Sequence, residues 1–217
     1  MKALLFKLTF LVATAATGQD ASYGLTGRFG AYKTIVSSRE HVGYDNNYGP
    51  GIQLELGAWI RLHAGGKNGV QFSLLQGLER QSGGTYLAID EQGNSVADIK
   101  TRYGSLSISA AALYLYRYSD RVSVGVGFAG KYKYAAIMAM QKIEYRGGYT
   151  AGGNNYYNDT YHRKLSLYVP LEAQVQVGER FQVIGQVQVP FSNRIVAQES
   201  AFKERDLGLT LGVSYTL

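Results

Sequence analysis

From Leu207 to Leu217 the chain alternates without a break. Leu207, Leu209, Leu211, Val213, Tyr215 and Leu217 hold the odd positions; Gly208, Thr210, Gly212, Ser214 and Thr216 hold the even ones. A period of two marks a strand with two unlike faces. The same alternation recurs upstream. Gly51–His63 sets Ile52, Leu54, Leu56, Ala58, Ile60 and Leu62 against Gln53, Glu55, Gly57, Trp59, Arg61 and His63. Gly69–Gln81 sets Val70, Phe72, Leu74 and Leu78 against Gln71, Ser73, Gly77 and Glu79. His162–Val177 does so with Leu165, Leu167, Val169 and Leu171 against Ser166, Tyr168 and Glu172. Looser alternation spans about 23–37, 101–118, 121–144 and Phe181–Gln198. With the C-terminal segment these make eight strands, an even number as bacterial single-chain barrels require.

The connections alternate in length. Gly65–Asn68, Ser119-Asp120 and Gly178–Arg180 have the composition of tight turns. Ser38–Pro50, Ser82–Ala97, Tyr145–Tyr161 and Glu199–Asp206 are longer. Short turns on one side and long loops on the other predict an up-and-down barrel with both termini on the periplasmic side. An internal echo fixes the register. Leu106-Ser-Ile108-Ser-Ala110 aligns with Leu165-Ser-Leu167-Tyr-Val169, and without a gap Ser119-Asp120-Arg121 falls on Gly178-Glu179-Arg180. Two hairpins then share one plan, which predicts the cross-strand pairs Val175 with Val183 and Tyr116 with Val124.

Composition decides which face meets what. The chain is 46% hydrophobic but only 18% charged, with 27 glycines and 18 tyrosines. A soluble barrel puts large apolar residues inside and charges outside; here the polar face is Gln, Ser, Thr and Gly and lacks surface Lys/Glu alternation. That face belongs inside, and the apolar one faces hydrocarbon with an aromatic belt. Residues 1–18, with Lys2 and Lys7 before an apolar run and Ala13, Ala15, Ala16 and Gly18 after it, read as a secretory signal peptide. The barrel domain is then 19–217. Removing the two signal lysines takes the net charge from +6 to +4, too mild and scattered for nucleic-acid binding. No cysteine is present, so disulfides and thiolate metal sites are excluded.

Leu165-Ser-Leu167-Tyr-Val169-Pro170-Leu171, Gly178-Glu-Arg-Phe181 and the tail Leu207-Gly-Leu209-Thr-Leu211-Gly-Val213-Ser-Tyr215 carry a resemblance. The chain resembles the PorT-like outer-membrane β-barrel proteins of Bacteroidota-type Gram-negative bacteria over nearly all of its mature length. The resemblance implies an eight-stranded antiparallel transmembrane barrel in the cell outer membrane. It also implies an assembly signal read by barrel-insertion machinery at Thr210, Gly212, Tyr215 and Leu217, where the final residue is Leu rather than the commoner Phe. Some members are linked to secretion or gliding machinery, and most have no assigned role.

Strand phase places Arg28, Glu55, Arg61, His63, Glu79, Lys131, Lys133, Lys164, Glu172 and Arg194 inward, among glutamines. An eight-stranded barrel holds little beyond side chains, and a lone buried charge is costly. A hydrogen-bonded plug is therefore expected, with Glu55, Arg61, Glu79, Lys131, Lys133, Glu172 and Arg194 as its network. Lys131 and Lys133 should face Ser109 and Ser107, so their counter-charge must come from elsewhere, with Glu172 the candidate. Pro170 and Pro190 also fall inward and cannot donate to the ladder.

No spacing singles out a catalytic set. His41 with Asp45 and His162 with Asp159 are loop neighbours without a helical His-x-x-x-His or other metal-ligand pattern. The expectation is a non-enzymatic barrel with no cofactor, metal or catalytic residue, acting as a surface scaffold, adhesion or secretion-associated component. The alternative is a narrow channel or porter for small solutes or apolar ligands. The stretch Gly147–Tyr161, rich in Tyr, Asn and Gly, suits contact with a cell-surface protein or glycan. Lys33, Arg80, Lys100, Arg102, Lys142 and Arg163 fall in phase with the lipid side near the loop ends. Arg80, Arg102 and Lys142 are the candidate contacts to outer-membrane lipid and lipopolysaccharide.

Overall fold

The structure is a computed structural model and describes residues 21–38, 48–63, 66–89, 92, 94–148, 150–158, 162–194 and 202–217. The expected signal segment, His41, Asp45 and Asp159 lie outside the described residues. Among the described residues there are nine strands: β1 Ala21–Ser38, β2 Gly51–His63, β3 Asn68–Ile89, β4 Ser95–Arg117, β5 Val122–Tyr145, β6 Thr150–Asn158, β7 Leu165–Gln176, β8 Phe181–Pro190 and β9 Phe202–Thr216. Pairing is antiparallel throughout. The order β4-β3-β2-β1-β9-β8-β7-β5 closes on itself through β4–β5, giving a sealed eight-stranded barrel; β6 is added outside that ring, against β5.

The register gives the barrel its shape. Stepping from Ala21 through Leu62, Val70, Tyr114, Val126, Leu171, Val187 and Leu209 returns to β1 at Ala31. One circuit thus climbs ten residues, from 21 to 31. With ordinary strand rise and spacing, that stagger over eight strands sets a tilt of about 41°. Both expected cross-strand pairs are present, Val175 with Val183 and Tyr116 with Val124.

The two faces separate as the alternation requires. On β9, Leu211 is 64% exposed and Thr210 beside it 1%. Leu25, Phe29, Leu56, Leu78 and Leu209 point outward in the same way. Apolar surface of this extent is unstable in water and matches the hydrocarbon core, and ring closure leaves no strand edge unpaired there. The fold is that of an outer-membrane β-barrel, and it places the protein in the outer membrane. Tyr23, Tyr114, Tyr116 and the Phe181–Tyr215 ring pair (5.0 Å between centroids) form the girdle beside the short turns.

Three differences from the expected elements stand out. β3, β4 and β5 run 22, 23 and 24 residues, whereas β7 and β8 run 12 and 10. A crossing needs ~9–11 residues, so one flank continues as strand well past the membrane. Ser82–Ala97, expected as a loop, is therefore mostly ladder, paired from Thr85↔Lys100 to Ile89↔Ser95 after a bulge. The stretch Tyr145–Tyr161, also expected as a loop, contains β6, paired to Ile137–Glu144 of β5. Its Gly and Asn content hid a strand that needs only a backbone partner. Finally, β8 ends at Pro190 rather than continuing toward Gln198.

Candidate functional site

Among the described residues the barrel interior gathers most of the buried polar side chains, in layers. Near the short turns, Arg61 donates to Gln71 (2.7 Å), to Gln174 and to Gln182 (3.4 Å), with its guanidinium 5.3 Å from the Trp59 ring. Above it Arg28 pairs with Glu172 at 3.1 Å, and Gln174 and Gln186 each donate to the same carboxylate, at 2.6 and 2.7 Å. The next layer centres on Lys131, which meets Glu79 at 2.6 Å, Glu55 at 3.2 Å and the Gln53 carbonyl at 3.0 Å. Ser105 and Ser109 donate to Glu79 and Glu55. Lys133 lies 3.6 Å from Glu79 and 5.2 Å from the Tyr103 ring centre. At the top, Arg194 holds Asp206 at 2.8 Å, Thr34 at 2.8 Å and Gln81 at 2.9 Å, and its guanidinium stacks 4.6 Å from the Tyr103 ring centre. Tyr48 donates to Glu204 at 2.9 Å.

Among the described residues the cations and anions of the network are equal in number, counting His162 as neutral. Arg28, Arg61, Lys131, Lys133 and Arg194 are balanced by Glu55, Glu79, Glu172, Glu204 and Asp206. Arg28, Lys131, Lys133 and Arg194 each have an opposite charge and Arg61 has amide partners, the condition under which burial is tolerated; Glu204 has the Tyr48 hydroxyl and, at 3.7 Å, His162. Such packing leaves a cavity of about 30 Å³ near Lys133 and Arg194, room for one or two waters.

All seven expected network residues are brought together, but one assignment fails. Glu172 is not the counter-charge of Lys131 and Lys133. Those lysines do face Ser109 and Ser107, yet Glu55 and Glu79 neutralise them from β2 and β3, across the lumen, while Glu172 serves Arg28 of β1. A narrow barrel lets long side chains reach across its bore, which strand neighbourhood does not reveal. Lys164, expected inward, is exposed, because β7 starts only at Leu165. Glu204 and Asp206 lie in the stretch expected as a loop, Glu199–Asp206, where β9 already runs from Phe202; carrying the phase of the C-terminal strand back would have found them, whereas Tyr48, in a connection, carried no periodic signal.

Arg80 and Arg102 are exposed, one step apart on the diagonal, since Arg80 faces Gly104 and Ser82 faces Arg102. Lys142 faces Lys100 in the backbone register, and Lys100 is engaged by Glu144 at 3.2 Å. In the terminal segment, Thr210 is buried, Leu217 donates its N–H to the Tyr23 carbonyl at 3.0 Å, and the Tyr215 hydroxyl accepts from Arg180 at 3.1 Å. Among the described residues no group of three or more His, Asp or Glu side chains is placed to hold a metal ion.

The sequence matches no protein-family model and no curated protein. Solved structures are similar in fold. Neisserial surface protein A aligns with TM-score 0.50 at 13% identity, over 92% of this chain and 100% of that one. The attachment invasion locus protein Ail of Yersinia pestis aligns with TM-score 0.44 at 14% identity, over 91% and 99%. The outer membrane protein OprG of Pseudomonas aeruginosa aligns with TM-score 0.37 at 10% identity, over 92% and 97%. At these identities the likeness concerns the barrel alone.

Proposed function

We propose that the protein is a non-enzymatic, non-conducting outer-membrane barrel that works from its surface, as a scaffold, adhesion or secretion-associated component of the PorT-like type. One contrast carries this reading. The lumen is filled by a cross-bonded network, while β3 to β6 continue as a sheet beyond the membrane-spanning length. A chain that transported solutes would gain nothing from closing its bore with five cations and five anions. A chain that presented a surface would gain a rigid pedestal.

The partners of this reading follow from the same parts. The Tyr- and Asn-rich β6 and its flanks suit a cell-surface protein or glycan. Arg80 and Arg102, with Lys142, suit the phosphates of lipopolysaccharide at the outer leaflet. Thr210, Gly212, Tyr215 and Leu217 suit recognition by barrel-insertion machinery. No nucleic acid is implied.

The test is genetic. A strain lacking the protein is complemented with the wild type or with a variant whose residues 147–157 are replaced by a short Gly-Ser turn. Loss of surface attachment or secretion, unrescued by the variant and with small-solute permeability unchanged, supports the proposal. A deletion that changes only small-solute uptake, fully restored by the variant, defeats it. Equal lipopolysaccharide binding by wild type and an R80A/R102A/K142A variant would remove the lipid contact from the proposal.

A further inference from the structure

The charges of the lumen are equal in number but not in place. Pairing Arg28 with Glu172, Lys131 with Glu55, Lys133 with Glu79 and Arg194 with Asp206 leaves Arg61 and Glu204. Those two sit at opposite mouths. On β1, Ser22 faces Arg61 and Val36 faces Glu204, about 46 Å apart along the strand. The carboxylate that acts on Arg61 is Glu172. It is already committed to Arg28, Gln174 and Gln186, at 3.1, 2.6 and 2.7 Å.

A second cation joins Arg61 at the short-turn mouth. β4 alternates Leu113 and Leu115 inward with Tyr114 and Tyr116 outward, so Arg117 ends the inward row. Arg117 is in register with Ser123 of β5, and Ser123 with Gln174 of β7, whose amide oxygen accepts from Arg61. The two guanidinium groups are within electrostatic reach of each other. The Arg117 backbone donates to Lys67 at 2.7 Å, but among the described residues its side chain has no hydrogen bond or ion pair. Asp120 and Glu179 of the flanking turns are ion-paired to neither arginine. His63, on the same rim, is engaged with Ser22 at 3.2 Å.

Arg61 itself is held ready. Its Nε and Nη2 are tied to Gln71, Gln174 and Gln182, and its guanidinium lies 5.3 Å from the Trp59 ring centre. Its Nη1 makes no bond, so one edge of the fork keeps its donors. The mouth opens toward the turns: Gln71 and Gln174 are buried, Arg61, Gln182 and Ser123 half-buried, and Arg117 exposed. Above Arg61 the Arg28–Glu172 layer closes the bore. The result is a blind recess with one guanidinium at its floor and another at its rim.

We propose that this mouth is a binding site for the terminal carboxylate of a peptide chain reaching it from the periplasm. One carboxylate oxygen meets Nη1 of Arg61 and the other the Arg117 guanidinium, a charge-assisted match of planar groups. A recess closed at its floor admits a chain end and no passing segment. The Ser123 hydroxyl, between the two arginines in the register, is at hand for the last peptide group. The site lies at the opposite end of the barrel from the surface role proposed above and does not depend on it.

Trp59 is the single tryptophan of the chain and lies against Arg61, so its fluorescence reports on the recess. The purified protein in dodecyl maltoside micelles is titrated with acetyl-Gly-Gly-L-Ala, with the same peptide ending in D-Ala, and with its C-terminal amide. A saturable change with a free acid and none with the amide is expected. Preference for the L or the D end separates a protein C-terminus from a cell-wall stem peptide as the source. Arg117→Gln, at an exposed side chain without a partner, keeps the fold and should weaken binding about tenfold or more. Arg61→Gln, checked for folding by heat-modifiable migration on gels and followed by calorimetry, should abolish it. Arg180→Gln removes a cation that meets Tyr215 on the outer girdle and should leave binding unchanged. The amide binding as tightly as the acid, no effect of Arg117→Gln, or equal weakening by Arg180→Gln would each overturn the proposal. So would displacement of the peptide by acetate or inorganic phosphate at equal concentration.

Discussion

Arg28 crosses the backbone of Gly212 to reach Glu172. The two residues are direct cross-strand partners on β1 and β9. A Cβ on Gly212 would stand 2.8 Å from Arg28 Cγ and 2.5 Å from the Gly27 carbonyl oxygen. The glycine of the terminal segment is thus also what lets the Arg28–Glu172 pair form. Gly212→Ala is expected to destabilise the barrel by about 1–3 kcal/mol, the usual cost of overpacking. Denaturant unfolding in detergent measures it, and an unchanged midpoint would refute the packing argument.

Lys131 is shared by Glu55 and Glu79, so its removal leaves Glu55 buried without a counter-charge and Glu79 with Lys133 at 3.6 Å. Lys131→Met should cost about 3–5 kcal/mol, the penalty of an uncompensated buried charge. Adding Glu55→Gln to it should recover part of that loss. A double-mutant cycle reads the coupling directly; additive effects would mean that the pair is not a unit.

Glu172→Gln should also lower thermal stability, but through Arg28. The Arg28→Met/Glu172→Gln double variant should be more stable than Glu172→Gln alone, because no buried guanidinium is then left without its carboxylate. Heat-modifiable gel migration across a temperature series ranks the three proteins. Matching destabilisation of Lys131→Met/Glu172→Gln would instead return Glu172 to the lysine layer.

Two aromatic rings lie over glycines of the facing strand. Tyr32 covers Gly51 and Trp59 covers Gly24, each pair in direct register. A Cβ would approach the Tyr32 ring to 2.2 Å and the Trp59 ring to 2.7 Å. Gly51→Ala should therefore cost about 1–3 kcal/mol. Gly104→Ala, where a Cβ meets only the Glu79 carbonyl at 3.7 Å, should stay within about 0.5 kcal/mol of wild type. Equal effects at both positions would rule out the ring contact as the cause.

The sequence carried the wall of the barrel because each wall strand has two unlike solvents, lipid and lumen, and period two records them. β2 was readable residue for residue as Gly51–His63, and Val175 and Val183 were readable as partners from an internal echo. Above the membrane that contrast fades. Residues 85–89 and β6 therefore looked like loop, although their backbones are paired. The interior was readable in membership but not in pairing. Phase assigns Glu172 and Lys131 to the same lumen, but only the bore's geometry decides that Lys131 meets Glu79 and Arg28 meets Glu172.

The sealed lumen is tested most directly by single-channel recording of the purified protein in a planar bilayer. A bore closed by the Arg28–Glu172, Lys131–Glu55–Glu79 and Arg194–Asp206 contacts gives no steady conductance in the wild type. Stable, stepwise conductance from the folded wild-type barrel would contradict it.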